Sequence, residues 1–556
     1  MAVSYLEFLY FPKMVSKMEL KKGTLNFYYN LIYVLNNFLN PIEINKSFNL
    51  LKDFRKTKLT KKSLNKYFSF SNDSKKKAIV FCYPDINSIL LISFFIISLK
   101  LKGYKVIGIL HSFNFVIQKI YKLFGVNSFI FLCSAYKEKK QNCQIEFDKE
   151  SLKKIEYKKI PIGKIVLSNL MRKYKSSNFN FFDRDIIKKQ LGLSINIINL
   201  MQNYIDEIKP EIFISQDRGY TPEAEIFETC LLNNIKSVEF HVAHRSEFLV
   251  FKKYNLKSKF KHFNSLSKDN IELLKKTKIS ISEKRKFFKE LNYCYNKGRW
   301  YEEVGTQFKK KKINKKQFFK KYNLNPELKV AVLFSHIFWD GTFFFGKDIF
   351  LDYEEWFKET LKIMIKNKEI NWIIKAHPAN SVKDYRDKKK NKSELDAIHE
   401  VVKKLPEHIK FIDCDDSTST ISYFEFIDYC LTVRGTVGIE AACWGVPVIT
   451  AGSGRYDNIG FTLDHSSKTS YLRTLNNILE IKKYDDSKKN LAIAFAHRLF
   501  CRRVFETKNI KFSFIRDQNF TLSANLNTDD IYDLENLEML SKWLENNDED
   551  YINDEL

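Results

Sequence analysis

No two of the nine cysteines form a C-x-x-C pair, and no histidine pair stands at zinc-finger spacing. That removes the usual zinc and dithiol motifs, and the odd, scattered set reads as reduced thiols in a cytoplasm. Cys430 and Cys443 lie in apolar runs and read as small buried hydrophobes. The longest strongly apolar run, residues 89–99, falls well short of the roughly 20 residues a bilayer crossing needs. The N-terminus lacks a basic segment leading into an apolar stretch and a small-residue cleavage site. No glycine fingerprint of the dinucleotide-binding kind opens a βαβ unit, and internal repeats and RNA-binding or helix-turn-helix signatures are missing. The expectation is a cytoplasmic protein, with peripheral contact on the inner face of the plasma membrane as the further option.

What is present is a basic and apolar chain. Its 556 residues allow two to four domains, and 44% apolar with 15% aromatic residues excludes a disordered protein. The formal charge of +27 suits nucleic acid, anionic lipid or phosphorylated substrates. Without a nucleic-acid signature, anionic lipid and phosphorylated substrates remain, although abundant Lys, Asn, Ile and Phe also point to AT-rich coding bias.

Residues 1–74 read as a helical preamble, with helical spacing at 27–39 and a basic stretch at 52–66. Strand patterns at 77–82, 104–110 and 128–132 alternate with helical ones at 89–102 and 112–124, as in an open α/β sheet. Residues 137–164 read as a charged, irregular insertion and 183–208 as one or two helices. A strand at 211–215 runs into Gln216-Asp217-Arg218-Gly219-Tyr220, and Thr221-Pro222-Glu223 reads as a helix start with Thr221 as N-cap. A strand at 237–242 ends near His241, His244 and Arg245. Residues 256–321 read as helices of an interdomain connection. A second α/β pattern begins at 329–334 and continues through a helix at 353–367 and strands at 373–376, 411–413, 429–433 and 446–450. The segment from 511 is acidic.

Two loops of the second pattern carry the chemistry. Ile373–Lys375 ends in His377-Pro378, flanked by Lys375 and Asn380. Residues 429–433 break at Arg434-Gly435-Thr436-Val437-Gly438, and a helix follows. A glycine loop between strand and helix presents backbone N–H groups at the positive helix end, which suits a phosphate. Glycines allow close backbone approach, Arg434 adds a planar cation, and Glu440 is placed to accept hydrogen bonds from a ribose. His377 ends a parallel strand, where open α/β sheets bind ligands. Ser335 and His336 follow the strand at 329–334, with His336 a phosphate ligand and Asp340 a candidate base. Arg455 lies in the loop after the strand at 446–450, which resembles the last ligand loop of a sugar-donor domain; that resemblance implies contact with a sugar or its carboxylate. The plainer alternative is an ordinary βαβ turn.

The stretches WIIKAHPAN and RGTVGIEAACWGVPVITAG, together with LFSHIFWDGTFFFGKDIFLDYEEWFKETL and SQDRGYTPEAEIFETCLLNNIKSVEFHVAHR, resemble GT-B glycosyltransferases, nearest to bacterial capsule and surface-polysaccharide biosynthesis proteins. The resemblance spans roughly residues 210–472. It implies two Rossmann-like domains facing a cleft: 75–325 for the acceptor, 326–510 for a nucleotide-sugar donor, with the preamble at 1–74 and an acidic tail at 511–556. Asp217 is then the first candidate for the base that takes the acceptor's proton, against a turn role or a salt bridge to Arg218. His244 and Arg245 are candidates for acceptor or phosphate contact; His241 also fits a core position.

The His-Pro pair looks like that of CMP-sugar transferases acting with Kdo or sialic acid. A CMP-linked acidic sugar is therefore the first donor expected, with a UDP-sugar next. Those enzymes' acidic D/E-D/E-G motif has only the approximate substitute Gln216-Asp217-Arg218-Gly219. No D-x-D pair lies where a metal-dependent transferase needs it; Asp413, Asp415 and Asp416 read as a turn or cap, with a hard cation as the alternative. No metal and no cofactor beyond the nucleotide-sugar substrate are expected. The partners expected are that donor, a glycan or glycolipid acceptor and an anionic membrane surface, without nucleic acid. A polyol-phosphate transferase of the teichoic-acid type, a sugar-nucleotide 2-epimerase and a non-catalytic assembly scaffold are the rivals.

Overall fold

The computed structural model describes residues 41–65, 67, 75–136, 148–340, 343–387, 393–515, 521–526 and 532–553. Most of the preamble, including 27–39, lies outside them, as do 137–147 of the insertion and Gly341. Described parts of these stretches form helices, at Pro41–Lys56, Lys61–Asn65, Lys149–Lys153 and Ile162–Tyr174. In the segment read as irregular, Leu152, Ile160 and Ile162 are buried.

Two sheets organise the chain. The first contains β1 (Lys77–Phe81), β2 (Lys105–Leu110), β3 (Ser128–Phe131), β4 (Ile212–Ser215), β5 (Lys236–Val242) and β6 (Phe248–Tyr254). The second contains β7 (Lys329–Phe334), β8 (Ile370–Lys375), β9 (Ile409–Ile412), β10 (Tyr429–Thr432) and β11 (Val448–Thr450). A short β12 (Phe505–Glu506) returns to the first sheet, giving the order β12-β6-β5-β4-β1-β2-β3; the second sheet runs β11-β10-β7-β8-β9. β1 to β5 pair in parallel, as do all strands of the second sheet. In each sheet the first strand sits centrally, the next two extend to one side and the following two to the other. This is the Rossmann-like order, and it opens a crevice where the winding reverses, at the carboxyl ends of β1 and β4 and of β7 and β10.

The strands are short, β-branched and buried on both faces, as a sheet covered by helices requires. The apolar run at 89–99 belongs to the helix Ile86–Leu101, in which every residue from Ile89 to Leu99 is buried. Such an all-round apolar helix needs cover on both sides. It lies against the first sheet and under the helix Leu534–Glu545, with the Ser98 hydroxyl donating to the Leu537 carbonyl at 3.2 Å. Each buried large side chain there contributes about 1.5–3 kcal/mol.

The C-terminal segment differs from a separate acidic tail. Leu537, Leu540, Trp543, Leu544 and Tyr551 enter the first domain's core. Asp550 is buried and ion-paired with Lys252 at 2.7 Å, and it accepts the Ser267 amide at 2.6 Å. Lys253 donates to the Trp543 and Asn546 carbonyls at 2.6 and 2.7 Å. These partners explain β6, which was not expected: two lysines enter a buried strand because the C-terminal segment satisfies them. A hairpin of β13 (Ile510–Ile515) and β14 (Thr521–Leu526) precedes that helix.

Candidate active site

At the crevice of the second sheet, the loops after β7 and β10 are tied together by His336. The Val433 amide donates to His336 Nε2 at 3.1 Å, and the Thr432 hydroxyl lies 3.0 Å from the same nitrogen. Thr432 Oγ1 in turn accepts the Gly435 amide at 3.1 Å. Because Nε2 accepts, the neutral ring carries its proton on Nδ1. Burial and the nearby His377, Arg434 and Arg455 hold the His336 pKa well below its ordinary value. The ring stacks on Tyr353 at 4.5 Å.

His377, after β8, has the opposite tautomer. Its Nδ1 accepts the Ala379 amide at 3.2 Å, which leaves the proton on Nε2. Burial and Lys383 push its pKa down to about 4. Its backbone is held by Glu394, which accepts the His377 amide at 3.0 Å and the Asn380 side-chain amide at 3.1 and 2.9 Å. Ser335 is buried, its amide donating to the Lys375 carbonyl at 3.0 Å. No described residue accepts from His336 Nδ1 or His377 Nε2.

The helix Thr436–Cys443 begins at Gly435 without a side-chain cap. Thr436 and Val437 occupy its first turn, where backbone N–H groups have no intrahelical acceptor. The Gly438 amide is already used, donating to the Gly435 carbonyl at 3.0 Å. Gly438 is required for a different contact from the one expected: a Cβ there would run into the Tyr456 hydroxyl, which donates to the Gly435 carbonyl at 2.8 Å. The space a side chain would take belongs to the protein's own tyrosine.

Three charged residues expected at the ligand are engaged elsewhere. Arg434 is buried and ion-paired with Asp348, and it donates to the Lys347 carbonyl at 3.3 Å. It anchors the loop from behind. Glu440 is buried and accepts from the Tyr295 hydroxyl of the connecting helix Ile281–Asn296, so its carboxyl faces that helix and not a ribose. Burial pushes its pKa up to about 7, against the Tyr295 hydrogen bond. Arg455 donates to the Arg434 carbonyl at 3.4 Å and the Tyr301 hydroxyl at 3.2 Å, bracing the same loop. Lys375 is buried with its ammonium 5.1 Å from the Tyr423 ring centre, and burial and Lys310 push its pKa down to about 8.

The crevice of the first sheet gathers carboxylates. Asp217 Oδ1 accepts the Gly219 amide at 2.7 Å, and Oδ2 lies 3.7 Å from Arg172. Burial raises its pKa, opposed by His241 and Gly219. Arg218 pairs with buried Glu239 at 3.0 Å rather than with Asp217. Glu223 is the first residue of the helix Glu223–Leu232; Pro222 stands at the N-cap, and the Thr221 hydroxyl donates to Glu225 instead of capping that helix. Burial and Asp217 push the Glu223 pKa up to about 8. Tyr83, at the end of β1, feels both carboxylates, and its hydroxyl accepts the Gln216 amide at 2.5 Å. His241 bonds Glu239 at 3.0 Å and stacks on Phe263 at 3.9 Å.

His244 is a correction. It is buried against Trp300, Phe248 and Phe500, with Nε2 2.9 Å from Glu290. The chain turns from β5 into β6 there and directs the ring into an aromatic cluster. Burial lowers its pKa. His244, Glu290 and Cys294 bring possible metal ligands within 4.8 Å of one another. However, Glu290 already holds His244 and pairs with Arg245 at 3.1 Å, which uses its charge. In the acidic cluster, Asp416 pairs with Lys321 at 2.7 Å and accepts the Thr418 amide at 2.8 Å.

The two crevices face each other. The Tyr220 hydroxyl of the first domain donates to Asp340 of the second at 2.9 Å, and Lys383 pairs with the same carboxylate. Although burial raises the Asp340 pKa, Lys383 and Arg172 hold it well below the carboxylate range. It is thus an interdomain latch and a poor proton acceptor. Arg218 donates to the Phe344 carbonyl at 2.9 Å, and the His262 amide to the Gly454 carbonyl at 2.8 Å. The residues that sequence reasoning missed as site components are Glu223, Arg172, Asp348, Lys383 and Glu394. Only Glu223 had a signal, an acid in the first turn of the helix that follows β4.

Residues 262–485 match the family model described as capsule polysaccharide biosynthesis protein. No curated protein matches the chain. Among solved structures, the chain is similar to a UDP-GlcNAc 2-epimerase from Neisseria meningitidis bound to UDP-GlcNAc, at 13% identity and TM-score 0.26, over 76% of this chain and 98% of that one. It is similar to the Thermosulfurimonas dismutans beta Kdo 2,4 transferase KpsC, at 12% and 0.31, over 51% and 79%. A Rickettsia africae glycosyltransferase is similar at 12% and 0.24, over 77% and 94%.

Proposed function

We propose, from the capsule polysaccharide biosynthesis segment at residues 262–485, that the chain is a glycosyltransferase of surface-glycan assembly. Its second domain takes a nucleotide-sugar and its first domain the acceptor. The observation that carries this reading is the pair of opposed crevices: His336 Nδ1–H, His377 Nε2–H and the first-turn amides of Thr436 and Val437 on one side, Asp217 and Glu223 on the other.

In the transfer, an acceptor hydroxyl oxygen attacks the anomeric carbon, and the bond from that carbon to the nucleotide phosphate breaks. The phosphate leaves with the electron pair. Its growing charge meets neutral N–H donors and a positive helix end, so the step makes no call on a metal ion. The acceptor's proton goes to a carboxylate of the first domain, Glu223 or Asp217. A CMP-linked acidic sugar is our first donor and a UDP-sugar the second. We place the reaction in the cytoplasm. Among the described residues, no helix is long and apolar enough to cross a membrane.

Titration of the full chain with CMP, CDP and UDP, followed by calorimetry, tests the donor half. Binding of at least one of them is expected. A folded protein that binds none removes the donor site and favours a scaffold. Product analysis tests the other half: a phosphodiester in place of a glycosidic link, or epimerised donor released without acceptor, overturns glycosyl transfer.

A further inference from the structure

Exposed aromatic side chains gather on one edge of the first domain. Phe48 is 68% exposed, Phe115 62% and Tyr136 44%. A hydrogen bond of 3.1 Å between Ser47 and Asn114 pins their carriers together, and the Phe54 and Phe124 rings pack edge-on behind it. The Tyr136 hydroxyl lies 3.1 Å from His111 Nδ1, and the His111 ring sits 5.4 Å from Phe81 at the end of β1. His111 and Phe115 follow β2, and Tyr136 follows β3. The rim therefore occupies the carboxyl ends of β1 to β3, the same edge on which β4 carries Asp217 and Glu223.

The rim is bordered by positive charge. The Lys119 ammonium lies 5.9 Å from the Phe115 ring centre. Lys52 is exposed one helical turn from Phe48, and Arg55, Lys58 and Lys61 continue the basic stretch. The acid between them, Asp53, is paired with Lys56 at 2.6 Å. Elsewhere the exposed large apolar residues, such as Ile281 and Leu534, lie on other parts of the fold. Aromatic side chains held at a rigid edge and ringed by lysines match a surface that is apolar just beneath an anionic layer.

We propose that this rim lies on an anionic membrane surface, with Phe48 and Phe115 entering the boundary between headgroups and acyl chains and the lysines meeting lipid phosphates. It deepens the transferase reading, on which it rests for its consequence: the crevice edge that receives the acceptor is turned towards lipid. The interaction itself is tested independently of any nucleotide.

The test is co-sedimentation of the full chain with vesicles of phosphatidylcholine alone and with phosphatidylglycerol added. Binding is expected only with phosphatidylglycerol, and added salt weakens it. Phe48→Ser and Phe115→Ser each lower it by about tenfold, while Ile281→Ser leaves it unchanged. Loss of binding by wild type to the anionic vesicles, as an acidic protein partner would give, overturns the inference; so does unchanged binding by the double serine variant. CMP and UDP titrations of the same proteins separate the two readings. Nucleotide binding without vesicle binding sinks the membrane surface alone, and vesicle binding without nucleotide binding sinks the donor site alone.

Discussion

Replacing His377 isolates one donor of the crevice. The backbone of its loop is held by Glu394, which accepts the His377 amide and the Asn380 side chain, so the loop keeps its anchor when the ring is removed. The ring offers two groups: Nδ1 accepts the Ala379 amide, and Nε2–H meets no described acceptor. His377→Ala removes both and leaves the amide of buried Ala379 without an acceptor, a loss of about 1–3 kcal/mol of stability. His377→Asn restores that acceptor, because an asparagine oxygen reaches the amide two residues on, yet it still lacks the outward donor. A hydrogen bond to a charged phosphate contributes about 1.5–3 kcal/mol, or about 10- to 150-fold in Kd. Both variants should therefore weaken nucleotide binding to that extent, while only His377→Ala should lose thermal stability. Calorimetric titration with CDP and UDP, beside a melting curve for each variant, reads both quantities. If the two variants bind as the wild type does, His377 does not touch phosphate and the reasoning fails.

The raised pKa of Glu223, about 8, means that its base form grows as pH climbs through that value. The wild-type turnover should rise on that limb, and Glu223→Gln should remove the limb and lower kcat by about 10²- to 10⁴-fold. Asp217→Asn keeps an oxygen for the Gly219 amide and should spare donor binding while lowering turnover; full transfer by either variant in a kinetic assay excludes that residue as the base. Glu440 has a folded pKa near 7 against an ordinary 4.5, so its contribution to stability is fully present below 4.5 and lost as pH rises through 7. Glu440→Gln should therefore flatten a loss of roughly 3 kcal/mol towards alkaline pH in urea unfolding, and an unchanged pH dependence refutes the assignment. Asp550→Ala strips the counter-ion from buried Lys252 and should destabilise the fold by about 3–5 kcal/mol, seen as a lower urea midpoint; a shift under about 1 kcal/mol means the pair is hydrated.

Local pattern carried the two βαβ series because parallel strands buried on both faces leave continuous β-branched runs between amphipathic helices. The same locality explains what stayed hidden. β6 contains Lys252 and Lys253, which read as solvent residues until Asp550 and the Trp543 carbonyl arrive from the far end of the chain. Arg434 read as a ligand cation because its partner Asp348 lies in another loop. Glu440 turned out to face Tyr295 of a connecting helix that no motif links to it. Glu223 read as an ordinary helix-start acid, since its raised pKa depends on burial and on Asp217 across the turn. His336 and His377 were legible as residues at strand ends, but their opposite tautomers follow from the Val433 and Ala379 amides.

The placement of charge in this site has a physical logic. A fixed guanidinium in the phosphate crevice would hold substrate and released nucleotide alike, and equal stabilisation of ground and transition states does not speed the chemical step. Here Arg434 and Arg455 are buried and donate to the Lys347 and Arg434 carbonyls, and the donors proposed for the phosphate are neutral imidazoles and a helix end. Dipoles of that kind are already oriented and gain most as negative charge develops on the leaving oxygen. The opposite crevice has the complementary property: Glu223 is held neutral near physiological pH by burial and by Asp217, so the pair can take a proton without accumulating two adjacent charges. The transfer proposed above creates negative charge on one side and releases a proton on the other, which calls for that division, and the Tyr220–Asp340 hydrogen bond joins the two domains across it.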